Sequence, residues 1–175
     1  ITFTTSQVPP VLPYIYGFED ATENGNWSIV NGTQTNKWII SDKDSAAVYE
    51  GDKALYVSNN DSANAYTITS ASTVWAYRTL ALESGTYSVD FAWKGQGQTT
   101  NDYLRVFLAP ALNSAVSAGS LVVGSKTISS TVIPDGWIAL GGVLNQQATW
   151  QTYTGVVDIT NAGNYNLMIL WSNNA

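Results

Sequence analysis

Apolar and polar residues alternate along much of the chain, which predicts β-strands, and the pattern is clearest in residues 85–110. In residues 87–94 the alternation has a period of two, so one face of this strand is apolar. In residues 102–109 both faces are apolar except at Arg105, as is typical of a central strand in a sandwich. We therefore expect these two segments to pair as a core hairpin, in which Asp90 and Arg105 form a cross-strand ion pair.

Shorter alternating segments, separated by turn sequences, fill most of the remaining chain. They predict strands at residues 14–20, 27–30, 37–40, 54–58, 65–69, 73–82, 148–159 and 163–171. Residues 111–147 are less regular, and we interpret them as a long excursion with one or two short strands. Many short strands between turns, without an amphipathic helical stretch, indicate an all-β protein folded as a two-sheet antiparallel jelly-roll sandwich.

The proline-rich start of the chain predicts a domain boundary. Pro9, Pro10 and Pro13 follow the alternating sequence ITFTT at residues 1–5 and make an extended linker. We interpret ITFTT as the last strand of a preceding module or as an edge strand of this domain. In the first case residues 1–12 are a stump and a linker, and residues 13–175 are the sandwich domain, which is long enough for one core.

The composition of the chain narrows the function classes. Only 11% of the 175 residues are charged, and Ser, Thr, Asn, Gln and Gly supply the polarity, which suits a secreted or cell-surface β-protein. The net charge of −6 and the lack of a basic patch argue against nucleic acid or anionic membrane as a partner, and no run is apolar enough for membrane insertion. The absence of cysteine and histidine excludes disulfides, a Cys nucleophile, Ser–His–Asp chemistry and the usual zinc ligands.

Three segments carry the pattern of a known domain family. They are LPYIYGFED at residues 12–20, followed by Trp27, then GDKALYVSNND at residues 51–61, and AYRTLALESGTYSVDFAWKGQGQTTNDYLRVFLAP at residues 76–110. Together they resemble the cleaved-adhesin or choice-of-anchor J domains, which are MAM-like jelly rolls of Bacteroidetes surface proteins. The resemblance implies a secreted or surface multidomain protein, with a fibronectin type III module that ends at residues 1–6. The closing strand usual in that family has no counterpart in this sequence.

The resemblance also implies a structural Ca²⁺ near the first strand, since related jelly rolls often hold one there. Calcium takes six to eight oxygen ligands, and acids at the end of the first strand and in the following loops could supply them. Our predicted metal ligands are Glu19, Asp52 and Asp44, with Asp20, Asp42 and Asp61 as further candidates. The alternative is that all of these are solvated loop acids.

Aromatic residues supply the candidate ligand site. The chain has seven Trp and ten Tyr, and carbohydrate-binding sandwiches use exposed rings as platforms for the C–H faces of sugars. Trp137 lies in a Pro-Asp-Gly turn, so we expect its ring at the surface. The predicted ligand-binding residues are Trp137, Trp150, Trp75, Tyr77, Tyr103 and Arg105. The alternative is that most of these rings fill a large β core.

Catalysis is not predicted, because a glycosidase needs two carboxylates across a cleft. None of the four glutamates forms a close E-x-D or E-x-x-x-E pair on a strand: Glu19, Glu23, Glu50 and Glu83. We expect a non-enzymatic extracellular binding or adhesion module that recognises glycan, matrix or a host surface protein, beside neighbouring domains of its own chain. The alternatives are a structural spacer and a jelly-roll hydrolase. Function should lie in the acidic loops before the hairpin or in the excursion around Trp137.

Overall fold

A computed structural model describes residues 8–98 and 101–175, and within these ranges the chain forms eleven strands, one short helix and two 3₁₀ turns. The strands are β1 (Ser28–Val30), β2 (Lys37–Ser41), β3 (Ala54–Ser58), β4 (Ser72–Leu82), β5 (Gly85–Gly95), β6 (Tyr103–Pro110), β7 (Val122–Val123), β8 (Lys126–Thr127), β9 (Ile138–Ala139), β10 (Gln147–Ile159) and β11 (Gly163–Asn173). The helix α1 is Ala21–Asn24, and the 3₁₀ turns are Ser45–Ala47 and Ala111–Asn113. No helix of the described ranges is long and apolar enough to cross a membrane.

A five-stranded antiparallel sheet in the order β1-β4-β11-β6-β9 forms the centre of the fold. β11 lies between β4 and β6, and its register with β4 runs unbroken from Gly163 opposite Leu82 to Asn173 opposite Ser72. Side chains alternate between the two faces of each strand, and both faces of these three strands are mostly apolar. The sheet therefore needs cover on both sides.

Two antiparallel ribbons, β2-β3 and β5-β10, cover one face of this sheet. Val89 and Phe91 of β5 and Val157 of β10 pack with Val106 and Leu108 of β6. The β2-β3 ribbon packs in the same way against β4 and β11. The chain passes between sheet and ribbons from β1 to β2, β3 to β4, β4 to β5, β5 to β6, β9 to β10 and β10 to β11. The predicted all-β antiparallel jelly-roll sandwich is confirmed.

The predicted core hairpin is wrong, because β5 and β6 lie in different layers. β5 pairs with β10, whereas β6 pairs with β11 and β9. Asp90 is exposed and accepts a hydrogen bond from Ser88 (3.2 Å), whereas Arg105 is 3% exposed, so the predicted ion pair does not form. The physical reason is that a strand with one apolar face suits an outer layer, whereas a strand with two apolar faces must be covered on both sides.

Residues 111–146 form a long excursion, as predicted, and their first part, residues 111–137, covers the other face of the five-stranded sheet. β9 then joins the edge of that sheet, and Leu140 and Leu144 pack on the ribbon side. Trp75, Phe107 and Met168 of the sheet are each 0% exposed, and they pack with Ile128 and Trp137 of the excursion. The sequence predicts one or two short strands here, and the structure has three: β7, β8 and β9, of two residues each. The excursion explains why β6 is apolar on both faces.

Two predicted strands are wrong, and side-chain contacts hold these segments in place of the hydrogen bonds of a β-ladder. Residues 14–20 form no named strand within the described part of the chain, and ring contacts from Tyr16 to Phe18 and from Phe18 to Trp27 hold them against the core. Residues 65–69 make a single bridge, because the buried Asn36 side chain bonds both the N–H (2.7 Å) and the C=O (3.2 Å) of Thr67. The predicted stump at residues 1–6 lies outside the described residues.

Candidate functional site

A cleft of about 510 Å³ opens beside the connection from β2 to β3. One continuous loop supplies its lining: Asp42, Ser45, Val48, Tyr49, Glu50, Gly51 and Asp52. This loop lies in the acidic segment 41–53, one of the regions in which the sequence predicts function. The lining is rich in oxygen atoms that accept hydrogen bonds, and it contains one aromatic ring.

Glu19 holds the end of this loop by its backbone. Glu19 Oε1 accepts hydrogen bonds from the N–H groups of Asp52 and Lys53, each 2.9 Å long. Gly51 makes the close approach possible, because its φ is +77° and a Cβ placed on it would lie 2.4 Å from Glu19 Oε1. The conformation of the loop at this end of the cleft therefore depends on Gly51 and on the carboxylate of Glu19, which precedes α1.

Asp44 holds the start of the loop in a similar way. Its Oδ1 accepts the N–H of Ala46 (3.0 Å) at the beginning of the 3₁₀ turn, and its Oδ2 accepts the N–H of Asn64 (2.7 Å). A carboxylate at this position satisfies a backbone donor that the short turn leaves unpaired. Asp44 thereby ties the cleft loop to the segment that follows β3.

Tyr49 forms the aromatic wall of the cleft. Its side chain is 58% exposed, and its ring meets the ring of Trp150 edge-on, with 5.2 Å between centroids and 60° between planes. Lys94 Nζ lies 4.9 Å from the centroid of the Trp150 ring and donates a hydrogen bond to the carbonyl oxygen of Ala46. Trp150 and Lys94 belong to β10 and β5, so these contacts join the cleft loop to the second ribbon. They orient Tyr49 while leaving much of its ring in water.

The cleft therefore combines an exposed ring with hydroxyl and carboxylate oxygens. A flat ring packs well against the C–H face of a sugar, because both surfaces are apolar and rigid. Asp42, Glu50 and Asp52 can accept hydrogen bonds from hydroxyl groups. This arrangement can bind a polyhydroxylated ligand at the surface.

Four of the predicted ligand-binding residues are buried between the five-stranded sheet and the excursion that covers it. Trp137 is 4% exposed, so the expected surface position of its ring is wrong. Its indole N–H donates to the carbonyl oxygen of Asn113 (3.2 Å), and its ring meets the rings of Trp75 and Phe107 edge-on. The turn that carries Trp137 thus directs the ring into the core. The other buried residues are Trp75, Tyr103 and Arg105, and the partly buried Tyr77 packs against the same cluster.

Arg105 is a buried cation that contacts a carbonyl group and a ring instead of a carboxylate. Its Nη1 donates to the carbonyl oxygen of Ser129, and its guanidinium carbon lies 4.7 Å from the centroid of the Phe107 ring. Its Nε has no hydrogen-bond partner within the described ranges. Burial lowers the pKa of Arg105 from its usual value. Arg105 therefore belongs to the core and does not reach a ligand at the surface.

Of the six predicted ligand-binding residues, Trp150 is the one that contacts the wall of the cleft. Its partner Tyr49 is missed by the strand pattern, because it lies in a loop without periodicity. The sequence does hold a signal for it, since Tyr49 is the single aromatic residue in segment 41–53. An isolated aromatic residue in an acidic loop has no strand face to fill, which makes exposure of its ring the natural expectation.

The three predicted calcium ligands do not come together as one cluster. Glu19 reaches Asp52 only through the backbone N–H of Asp52, and both carboxylate oxygens of Asp44 accept backbone N–H groups. Across residues 8–98 and 101–175, no group of three or more His, Cys, Asp or Glu side chains is placed to hold a metal ion. The three residues do not fit a calcium site as arranged, and calcium binding stays a prediction.

Two solved structures are similar to this chain. The structure of TmCBM61 in complex with β-1,4-galactotriose has a TM-score of 0.45 and 11% identity, and the match covers 87% of this chain and 83% of that chain. The xylan-binding domain from CBM 22, formally the x6b domain, has a TM-score of 0.48 and 15% identity, with coverage of 95% and 87%. Similarity at these scores carries no argument about the function of this chain. No protein-family model and no curated protein matches the sequence, so the resemblance to cleaved-adhesin domains stays a prediction.

Proposed function

We propose that this protein is a non-enzymatic carbohydrate-binding module whose sugar site is the cleft beside Tyr49 and Trp150. The observation that carries the proposal is the exposed ring of Tyr49, held edge-on by Trp150 at the wall of an oxygen-rich cleft. Among the described residues, Tyr49 is the only aromatic side chain that is exposed, since every other ring is buried or partly buried. An aromatic ring that fills no core is free to contact a ligand.

In this proposal a sugar ring stacks its C–H face on Tyr49, and its hydroxyl groups donate hydrogen bonds to Asp42, Glu50 and Asp52. The ring supplies apolar contact, and the oxygens fix the orientation of the sugar, as in other small-ligand sites. The cleft is open and lined by a single loop, so the buried area is small. We therefore expect modest affinity, with a dissociation constant between about 10 µM and 1 mM.

The hydrolase alternative has one observation in its favour, which is the presence of three carboxylates in the cleft. A glycosidase places two carboxylates on either side of the scissile bond and encloses its general acid in apolar surroundings. Asp42, Glu50 and Asp52 instead come from one loop, and all three are exposed to water. Their arrangement supports binding of a sugar more than cleavage of a glycosidic bond.

We extend the proposal to a secreted or cell-surface protein that recognises glycan on a matrix or a host surface. The low charged fraction of 11% supports this location, as does the resemblance carried by residues 12–20, 51–61 and 76–110. The spacer alternative calls for a smooth polar surface. The cleft with Tyr49 at its wall favours a binding module over a spacer.

A glycan array probed with the purified chain tests this proposal. The wild type should bind a group of related glycans, and Tyr49→Ala should lower those signals at least tenfold. Leu112→Ala is the matched control, because it removes a 98% exposed apolar side chain that lines a different depression. An array without signal for the wild type, or equal losses in the two variants, contradicts the proposal. Release of reducing sugar from a bound polysaccharide would favour the hydrolase instead.

A further inference from the structure

We infer that the cleft selects glycans without carboxylate or sulfate groups, because its lining repels anions and offers no cation to pair with them. The inference rests on the proposed function and adds a substrate class to it. Two observations support it: the charged groups that line the cleft beside Tyr49 are all acidic, and the neighbouring lysines bond to backbone carbonyl groups.

The charged side chains of the lining all have the same sign. Asp42, Glu50 and Asp52 line the cleft, and the lining contains no lysine or arginine. The ion pairs of the described residues join Arg78 to Glu23 and Lys126 to Asp135, so none of the three cleft carboxylates is neutralised by an ion pair. The net charge of −6 for the whole chain adds repulsion of the same sign.

Each lysine close in sequence or space to the cleft donates to a backbone carbonyl group instead. Lys43 Nζ donates to the carbonyl oxygen of Asp61 (3.0 Å), and Lys53 Nζ donates to that of Glu19 (3.3 Å). Lys94 donates to Ala46 and covers the ring of Trp150. Each of these three ammonium groups is therefore bonded to a backbone oxygen, and none forms an ion pair with a cleft carboxylate.

The consequence for a ligand follows from the distance dependence of charge interactions. A sugar stacked on Tyr49 shares the cleft with the three carboxylates that line it, and one added anionic group close to them weakens binding by about tenfold even in a strongly screened surface site. Hydroxyl groups meet no such penalty, because they donate hydrogen bonds to the same oxygens. Raising the salt concentration shortens the range of the repulsion and should narrow the difference in affinity between neutral and anionic glycans.

The experiment uses a glycan array that contains matched pairs, in which a uronic acid or sulfated glycan stands beside its neutral parent. The wild type should bind the neutral member at least tenfold more strongly at 20 mM NaCl, with a smaller difference at 500 mM. A variant with Asp42→Asn, Glu50→Gln and Asp52→Asn should gain signal on the anionic members. The control variant carries Glu83→Gln, Asp135→Asn and Asp158→Asn, which changes the net charge equally at exposed acids outside the cleft lining.

The outcomes separate this inference from the function on which it rests. Equal or stronger binding of the anionic members overturns the inference and leaves the carbohydrate-binding function intact. Equal gains in the two triple variants also overturn it, because selectivity would then reflect net charge alone and not the cleft. An array without any signal overturns the proposed function, and the inference with it. The inference is supported if the wild type binds neutral glycans more strongly than their anionic counterparts and only the cleft variant reduces this difference.

Discussion

The ammonium group of Lys94 lies over the ring of Trp150, 4.9 Å from its centroid. The two residues stand on the neighbouring strands β5 and β10, and the same ammonium group donates to the carbonyl oxygen of Ala46 in the cleft loop. Trp150 in turn supports the ring of Tyr49. One lysine thus connects the outer ribbon to the loop that carries the proposed sugar platform.

Replacement of Lys94 by Met should weaken glycan binding about fivefold, because a cation–π contact of this kind contributes about 1 kcal/mol and its loss releases the loop beside Tyr49. Isothermal titration with the strongest glycan of the array measures the change. Lys94→Arg keeps the charge and should retain most of the affinity. A Met variant that binds as tightly as the wild type would show that Lys94 does not position the loop.

Replacement of Gly51 by Ala should lower the free energy of unfolding by about 2 kcal/mol, since the new Cβ would meet Glu19 Oε1 at 2.4 Å in a backbone with φ of +77°. Gly124→Ala is the control, because Gly124 also has a positive φ (+58°) but nothing lies within 4 Å of its added Cβ. Urea unfolding of the two variants separates the clash from the backbone strain. Equal destabilisation would mean that the contact between Glu19 and Gly51 has no measurable role.

The ion pair between the buried Arg78 and the partly exposed Glu23 should make stability depend on acid pH. Arg78 Nε lies 2.6 Å from Glu23 Oε1, and the Arg78 side chain is 1% exposed. Burial alone would raise the pKa of Glu23, but hydrogen bonds from Arg78, Asn26 and Tyr14 outweigh it and hold the pKa below its usual value. Because the folded-state pKa lies below the unfolded value of 4.5, this stabilisation is present above that pH and is lost as the pH falls through the folded-state pKa.

Glu23→Gln isolates this contribution, because it removes the charge and keeps the shape. At pH 7 the variant should lose about 3 kcal/mol of unfolding free energy, since it leaves the Arg78 charge buried without its partner. Thermal melts from pH 7 to pH 3 should show a shallower decline for the variant than for the wild type. Parallel declines would assign the acid sensitivity to other carboxyl groups.

Replacement of Trp137 by Ala should lower stability without lowering glycan affinity. Trp137 is 4% exposed and contacts Trp75 and Phe107, so its truncation should lower the free energy of unfolding by about 3 to 5 kcal/mol. Its ring lies on the opposite side of the sheet from the ribbons, so glycan affinity should stay within twofold at a temperature where the variant is folded. Titration below the melting transition checks this, and a large loss of affinity in a folded variant would place the sugar site near the excursion.

The layers of the fold could be predicted from local patterns, because alternation reports which faces of a strand are apolar. β5 has one apolar face and lies in an outer ribbon, and β6 has two and lies in the central sheet. The partner of each strand could not be predicted in the same way, since pairing depends on contacts between distant segments. Asp90 and Arg105 are adjacent in the predicted hairpin, yet they stand in different layers.

The candidate site was only partly predictable, because the exposure of a side chain in a loop or turn depends on how that segment packs against the rest of the protein. The turn before Trp137 predicts an exposed ring, but the indole N–H finds the carbonyl oxygen of Asn113 and the ring fills the core. Trp150 was predictable as a member of a strand. The exposure of Tyr49 was predictable from its isolated position in an acidic loop, but its contact with Trp150 was not, because that contact joins two ribbons that no local pattern relates.

The most direct test of the central claim is isothermal titration of the strongest array glycan into wild type, Tyr49→Ala and Tyr49→Phe. The Ala variant should bind at least tenfold more weakly, because it removes the ring on which the sugar stacks. The Phe variant should bind within threefold of the wild type, since it keeps the ring and loses only the hydroxyl group. An Ala variant with unchanged affinity and an unchanged melting temperature would contradict the claim that this cleft is the sugar site.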